Sequence, residues 1–151
     1  MASVELFRGN PGQVVYIQEA TGGAANDFYA GDLVKTDSSG QVVIATAGAI
    51  FGIARKTALG DDGYLEVELI NYNSVYKIFY KSSGTAVTLV GDVIDATFTP
   101  GAHTWDESGA TTDAMVVELI DPANTTGGAL GIRFLPGAVD DNREGRITWL
   151  P

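Results

Sequence analysis

Gly31-Asp32-Leu33-Val34-Lys35-Thr36-Asp37-Ser38-Ser39-Gly40-Gln41-Val42-Val43-Ile44-Ala45 decides the fold class, together with Ile50-Phe51-Gly52-Ile53-Ala54-Arg55 and Leu65-Glu66-Val67-Glu68-Leu69-Ile70-Asn71. Short β-branched runs alternate with Gly, Asp and Ser clusters, the pattern of strands joined by tight turns. Asp37-Ser38-Ser39-Gly40 reads as a hairpin turn, since Gly takes positive φ and Asp bonds its own backbone. Gly52 inside a strand predicts a bulge or a close backbone approach. Leu65, Val67 and Leu69 alternate with Glu66 and Glu68, a period of two with one wet face.

The same pattern extends outward. Gln13–Gln18, Val75–Lys81, Val87–Leu89, Val93–Ile94, Met115–Ile120, Ala129–Leu135 and Arg146–Leu150 read as further strands, and Thr97–Asp113 as a loop or flap. No segment keeps a 3.6-residue period, so little or no helix is expected. The predicted fold is all-β: a compact antiparallel β-barrel or β-sandwich over residues 13–151. Residues 1–12 form an extended N-terminal arm, set off by Gly9-Asn10-Pro11-Gly12.

Composition limits the function classes. The 151 residues suit one domain with a real core. No apolar run approaches the roughly 18 residues of a membrane span, and the N-terminus lacks a signal-peptide pattern. Without cysteine, disulfides, thiolate metal sites and a cysteine nucleophile are excluded. The net charge of −10, with nine scattered Lys and Arg, argues against direct nucleic-acid binding.

Residues able to do chemistry are sparse. His103 is the single histidine, close to Asp106, Glu107 and Ser108 in sequence. It reads as a surface histidine in a loop, with a hydrolase as a rival reading. Asp61-Asp62 and Asp140-Asp141 fall in turns without a calcium-loop pattern. Gly22-Gly23 and Gly127-Gly128 match no phosphate loop. No catalytic, cofactor or metal residues are assigned, and a non-enzymatic role is expected. Three fragments recur in order, which raises the question of duplication: Gly31-Asp32-Leu33-Val34 with Gly91-Asp92-Val93-Ile94, Asp37–Gly40 with Asp106–Gly109, and Val67–Ile70 with Val117–Ile120. Contact surfaces are sought at Val4, Leu6, Phe7 and Arg8 in the arm, and at Tyr72 and Tyr76.

The phrase Gly-Asp-Leu-Val, Asp-Ser-Ser-Gly-Gln-Val, Ile-Phe-Gly-Ile-Ala and Glu-Val-Glu-Leu-Ile from Gly31 onward resembles the capsid decoration (cement, head-stabilising) proteins of tailed bacteriophages. The likeness extends more loosely through Trp105-Asp106 and Val116-Val117-Glu118 to Ile132–Leu135. It implies a barrel or β-tulip body, a homotrimer, and the major capsid protein as partner. It further implies a place on the capsid exterior after synthesis in the host bacterial cytoplasm. Arms that clasp neighbouring subunits are part of the same expectation, with no cofactor, membrane or small-molecule substrate. The alternative is a carbohydrate- or receptor-binding β module of a phage tail or fibre, stacking sugar on Tyr72, Tyr76 and Trp105.

Overall fold

The computed structural model describes residues 4–20, 27–46, 49–60, 63–79, 90–101, 103–106, 113–120 and 129–135. Eleven strands run through them: β1 (Glu5–Arg8), β2 (Val14–Gln18), β3 (Leu33–Thr36), β4 (Val42–Ile44), β5 (Gly52–Ala54), β6 (Tyr64–Leu69), β7 (Val75–Phe79), β8 (Val93–Thr97), β9 (Thr104–Asp106), β10 (Ala114–Leu119) and β11 (Ala129–Phe134). Among the described residues there is no helix. The strands form two antiparallel sheets, ordered β2-β6-β5-β3-β4 and β1-β7-β11-β10-β8-β9. They pack as a sandwich; neither closes as a barrel.

Several local readings agree with this architecture. Asp37 Oδ1 accepts from the amides of Ser39 (2.8 Å) and Gln41 (2.9 Å), and Gly40 sits at φ 77°. Together they fix the β3–β4 hairpin. Gly52 is a close approach: a Cβ there would lie 2.5 Å from the Glu68 carbonyl oxygen. The expected strand from Ile50 to Lys56 shortens to β5, flanked by isolated bridges. The expected loop from Thr97 to Asp113 contains β9, which continues the sheet beyond β8. Asp61-Asp62, Gly22-Gly23, Ser82–Gly84, Val87–Leu89, Gly127-Gly128, Asp140-Asp141 and Arg146–Leu150 lie outside the described residues.

The two sheets repeat one topology. If each set of five is numbered along the chain (β2 to β6, then β7 to β11), both have the order first-fifth-fourth-second-third. The register repeats too. Gly31 N donates to Ala54 O, and Ala54 N to Asp32 O; Gly91 N donates to Val116 O, and Val116 N to Asp92 O. Leu33 faces Ile53 as Val93 faces Met115, and Val67 faces Ala54 as Ile132 faces Val116. Gly31 and Gly91 hold φ 92° and 102°, a backbone that favours glycine. Of the three sequence echoes, Gly31–Val34 with Gly91–Ile94 occupies equivalent positions. Val67–Ile70 ends β6 whereas Val117–Ile120 ends β10, so that pair is not equivalent. Asp37–Gly40 turns between β3 and β4, whereas Asp106 ends β9.

Core composition follows the repeat. One cluster, Ile17, Phe28, Val34, Val42, Phe51, Ala54, Leu65, Val67 and Leu69, lies within the first sheet's curl. Its equivalents Ile78, Ile94, Trp105, Val116, Leu130, Ile132 and Phe134 belong to the second cluster, which also takes Leu33, Ile53, Ile50 and Ile70 from the first unit. That second cluster fastens the sheets together. Apolar burial at about 25 cal/mol per Å² makes it the dominant stabilising term.

Candidate interaction surface

The arm is built into the fold. β1 pairs antiparallel with β7, Glu5 opposite Lys77 and Leu6 opposite Tyr76, with a bulge before Arg8. Val4 is buried, and its amide donates to the Gly31 carbonyl at 3.2 Å. Leu6 packs on the shared core. Behind β1, Ser74 Oγ and Asn71 Nδ2 both donate to the Asn10 carbonyl, at 2.5 and 3.2 Å. Gly12 passes so close to Leu69 that a Cβ would sit 1.7 Å from its carbonyl oxygen. The free arm expected from the breaker cluster is therefore an edge strand. The breakers allow a tight crossing rather than a flexible hinge.

Of the arm's four named residues, the structure exposes two. Val4 and Leu6 face inward, while Phe7 and Arg8 face outward. Arg8 pairs with Glu118 and lies 5.7 Å from the Phe7 ring centroid. Glu5 and Lys77 approach to 3.7 Å. This outer rim carries charges of both signs, the usual protection of a sheet edge.

The aromatic platform expected at Tyr72, Tyr76 and Trp105 does not form. Tyr76 is 0% exposed and Trp105 1% exposed. Both rings meet Phe134 edge-on, at 5.3 and 6.1 Å between centroids. Tyr76 Oη accepts from the Asn71 amide at 2.9 Å. Tyr72 is half-buried against the shared core. Among the described residues, the exposed tyrosines are instead Tyr16 (68%) and Tyr64 (69%). Tyr16 lies opposite Glu66 and Tyr64 opposite Gln18, so the two rings are diagonal neighbours on one face. The alternation in Val14-Val15-Tyr16-Ile17-Gln18 carried this signal, with Ile17 pointing in and Tyr16 out.

Beside them sits a charge cluster. Glu66 lies 3.1 Å from Lys56 Nζ and 3.8 Å from Arg55 Nε; Glu68 lies 3.9 Å from Arg55 Nη1. The fully wet face expected for Glu66 and Glu68 is corrected here. Glu68 is nearly buried, because β6 is an interior strand between β2 and β5 and Ile53 opposite it enters the shared core. Burial raises the Glu68 carboxyl above its ordinary range, and Arg55 partly opposes this. Glu68 lines a shallow cleft of about 250 Å³ with Val4, Glu5, Ile53 and Arg55.

His103, read as a surface residue, is fully buried. Its Nε2 accepts from the Leu33 amide at 3.0 Å and lies 3.3 Å from Asp32 Oδ1. Nδ1 stands 3.3 Å from the Thr97 carbonyl. Since Nε2 accepts, Nδ1 carries the proton and donates. Asp32 in turn accepts from the amides of Tyr29 (2.9 Å) and Gly101 (2.8 Å). The cluster ties β3 of the first unit to the β8–β9 connection of the second. Both ring nitrogens are engaged by backbone, which is the geometry of a structural histidine. Glu107 and Ser108 lie outside the described residues.

Among the described residues, no group of three or more His, Cys, Asp or Glu is placed to hold a metal, and no helix is long and apolar enough to cross a membrane. In comparisons with known proteins, the chain matches no protein-family model and no curated sequence.

Proposed function

We propose that this protein is a structural component of a virion, which binds the outer surface of a phage capsid lattice and bridges neighbouring subunits of the major capsid protein. Assembly into a homotrimer belongs to the same reading. The observation that carries it is the docked terminal strand β1. Its outer side carries no further strand among the described residues and presents exposed Phe7 and Arg8, so a capsid subunit can dock on those side chains there. The family resemblance over residues 31–71 gives the same direction. Many weak contacts on a lattice add up by avidity, which suits a rigid β body with shallow clefts.

Co-sedimentation with shells of the major capsid protein encoded in the same genome tests this. Wild type is expected to pellet with shells, and Phe7→Asp with Arg8→Gln, which keeps a donor towards Glu118, to remain largely in solution while folding normally. Wild-type protein that stays unbound at saturating concentration refutes the reading.

The exposed pair Tyr16 and Tyr64 supports a second reading, a carbohydrate-binding module, because flat exposed aromatic faces stack on sugar rings. Glycan-array binding that disappears in Tyr64→Ala would favour it.

A further inference from the structure

We propose that His103 is a proton switch set in the joint between the two units: on acidification its Nε2 gains a proton, releases the Leu33 amide and takes Asp32 as its partner. Nε2 lies between a donor and an acceptor. The Leu33 amide is 3.0 Å away and Asp32 Oδ1 3.3 Å away. Neutral imidazole accepts from Leu33 at this nitrogen, whereas imidazolium carries a proton there and can only donate. Each charge state therefore has its own partner. Nδ1 takes no part in the exchange. It faces the Thr97 carbonyl at 3.3 Å, which only accepts, so it holds its proton in both states.

The surroundings supply the counter-ion. Asp32 is buried, and its carboxylate is fixed by the Tyr29 amide on Oδ2 and the Gly101 amide on Oδ1. A carboxylate already held beside a ring nitrogen can make a charge-assisted bond without reorganising. Among the described residues, Asp32 is the one charged group in ion-pair reach of the ring. The elements around the ring add further carboxylates: Asp95 on β8, Asp106 on β9 and Asp113 just before β10, which accepts from the Ala96 amide at 2.9 Å. No lysine or arginine occurs between residues 90 and 114. Lys35 of β3 is engaged elsewhere, donating to Thr46 Oγ1 at an exposed position.

The exchange is felt at one point of the joint. Leu33 opens β3, and its side chain is among those the first unit gives to the shared core. Protonation of the ring leaves the Leu33 amide without its acceptor in a buried site. The neighbouring bonds of β3 do not involve the ring: Ala45 N donates to the Leu33 carbonyl at 3.0 Å, and Phe51 N to the Val34 carbonyl at 2.7 Å. Acid thus trades a backbone bond across the joint for an ion pair, while the ladder of the first sheet stays in place. Histidine protonation biasing an interface between two packed elements is a general basis for pH sensing.

The test is NMR of the isotope-labelled chain between about pH 8 and pH 5. With a single histidine, every imidazole signal belongs to His103. At the upper end Nδ1 alone should carry a proton, and at the lower end both ring nitrogens. The Leu33 amide should change its shift with the same midpoint. Its protection against hydrogen exchange, corrected for the intrinsic rate, should fall about tenfold, the net contribution of one hydrogen bond. His103→Gln keeps an acceptor for Leu33 but has no proton to gain, so its Leu33 amide should show no transition. If that variant fails to fold, the coincidence of the imidazole and Leu33 midpoints in the wild type still decides. An imidazole that keeps one proton until the chain unfolds, a Leu33 amide that does not follow the ring, or the same Leu33 transition in the Gln variant overturns the proposal. Capsid binding enters none of these readings, so either idea can fail without the other.

Discussion

Replacing His103 with Ala separates a structural histidine from a catalytic one. The substitution leaves the Leu33 amide without its acceptor in a site with no solvent access. An orphaned buried amide costs about 1–3 kcal/mol. The missing imidazole, which packs edge-on to Phe98 at 5.9 Å, leaves a cavity costing about 1–2 kcal/mol more. The sum is about 3 kcal/mol, or a melting temperature about 6–12 °C lower for a chain of this size. His103→Gln is the informative partner, because its amide can accept from Leu33 and donate towards Thr97. It should recover more than half of the loss. Urea titration followed by tryptophan fluorescence is suitable, since buried Trp105 reports on the same core. An Ala variant within about 1 kcal/mol of wild type would refute the argument that these bonds tie the two units together. So would a folded Gln variant no better than Ala.

Two further predictions concern single sites. Glu68→Gln should raise the melting temperature at pH 7. A carboxyl whose pKa is raised by folding favours the fold below its ordinary value of 4.5 and loses that contribution as pH rises through the folded value. The advantage of Gln should shrink as the pH falls towards 4.5; an advantage that grows on acidification contradicts it. Gly12→Ala should destabilise by at least about 2 kcal/mol, because the added methyl meets the Leu69 backbone and not a side chain able to move. Thermal melting checks it, with unchanged stability as the refuting result.

Local signals reached the fold class. β-branched runs gave most strands, Asp37 and Gly40 gave the hairpin, and Gly52 gave the close backbone approach. These properties depend on a few neighbouring residues. What lay beyond reach depends on distant partners. Nothing near His103 states that Leu33 needs an acceptor 70 positions away. Its two-residue spacing from buried Trp105 was the one available sign that the flap contained a strand with an inward face. Tyr76 reads as a contact residue because aromatics serve cores and interfaces alike. Only the order of the sheet shows that β7 has β1 on one side and β11 on the other. The repeat is legible only at Gly31–Val34 and Gly91–Ile94, for a similar reason: register is kept between the units while side chains such as Gly52 and Ala114, or Val42 and Trp105, differ.

The first-fifth-fourth-second-third order also governs how the chain reaches its native state. In each unit the last strand made is an interior one: β6 joins β2 to β5, and β11 joins β7 to β10. Until β11 has been synthesised, β1–β7 and β10–β8–β9 remain separate ribbons with raw edges. The first unit can assemble once residue 69 has emerged, but the second waits for residue 134. Such distant pairings slow folding into the millisecond-to-second range. The early unit, with its seam of Leu33, Ile53 and Ile70 uncovered, then serves as the template on which the later one condenses.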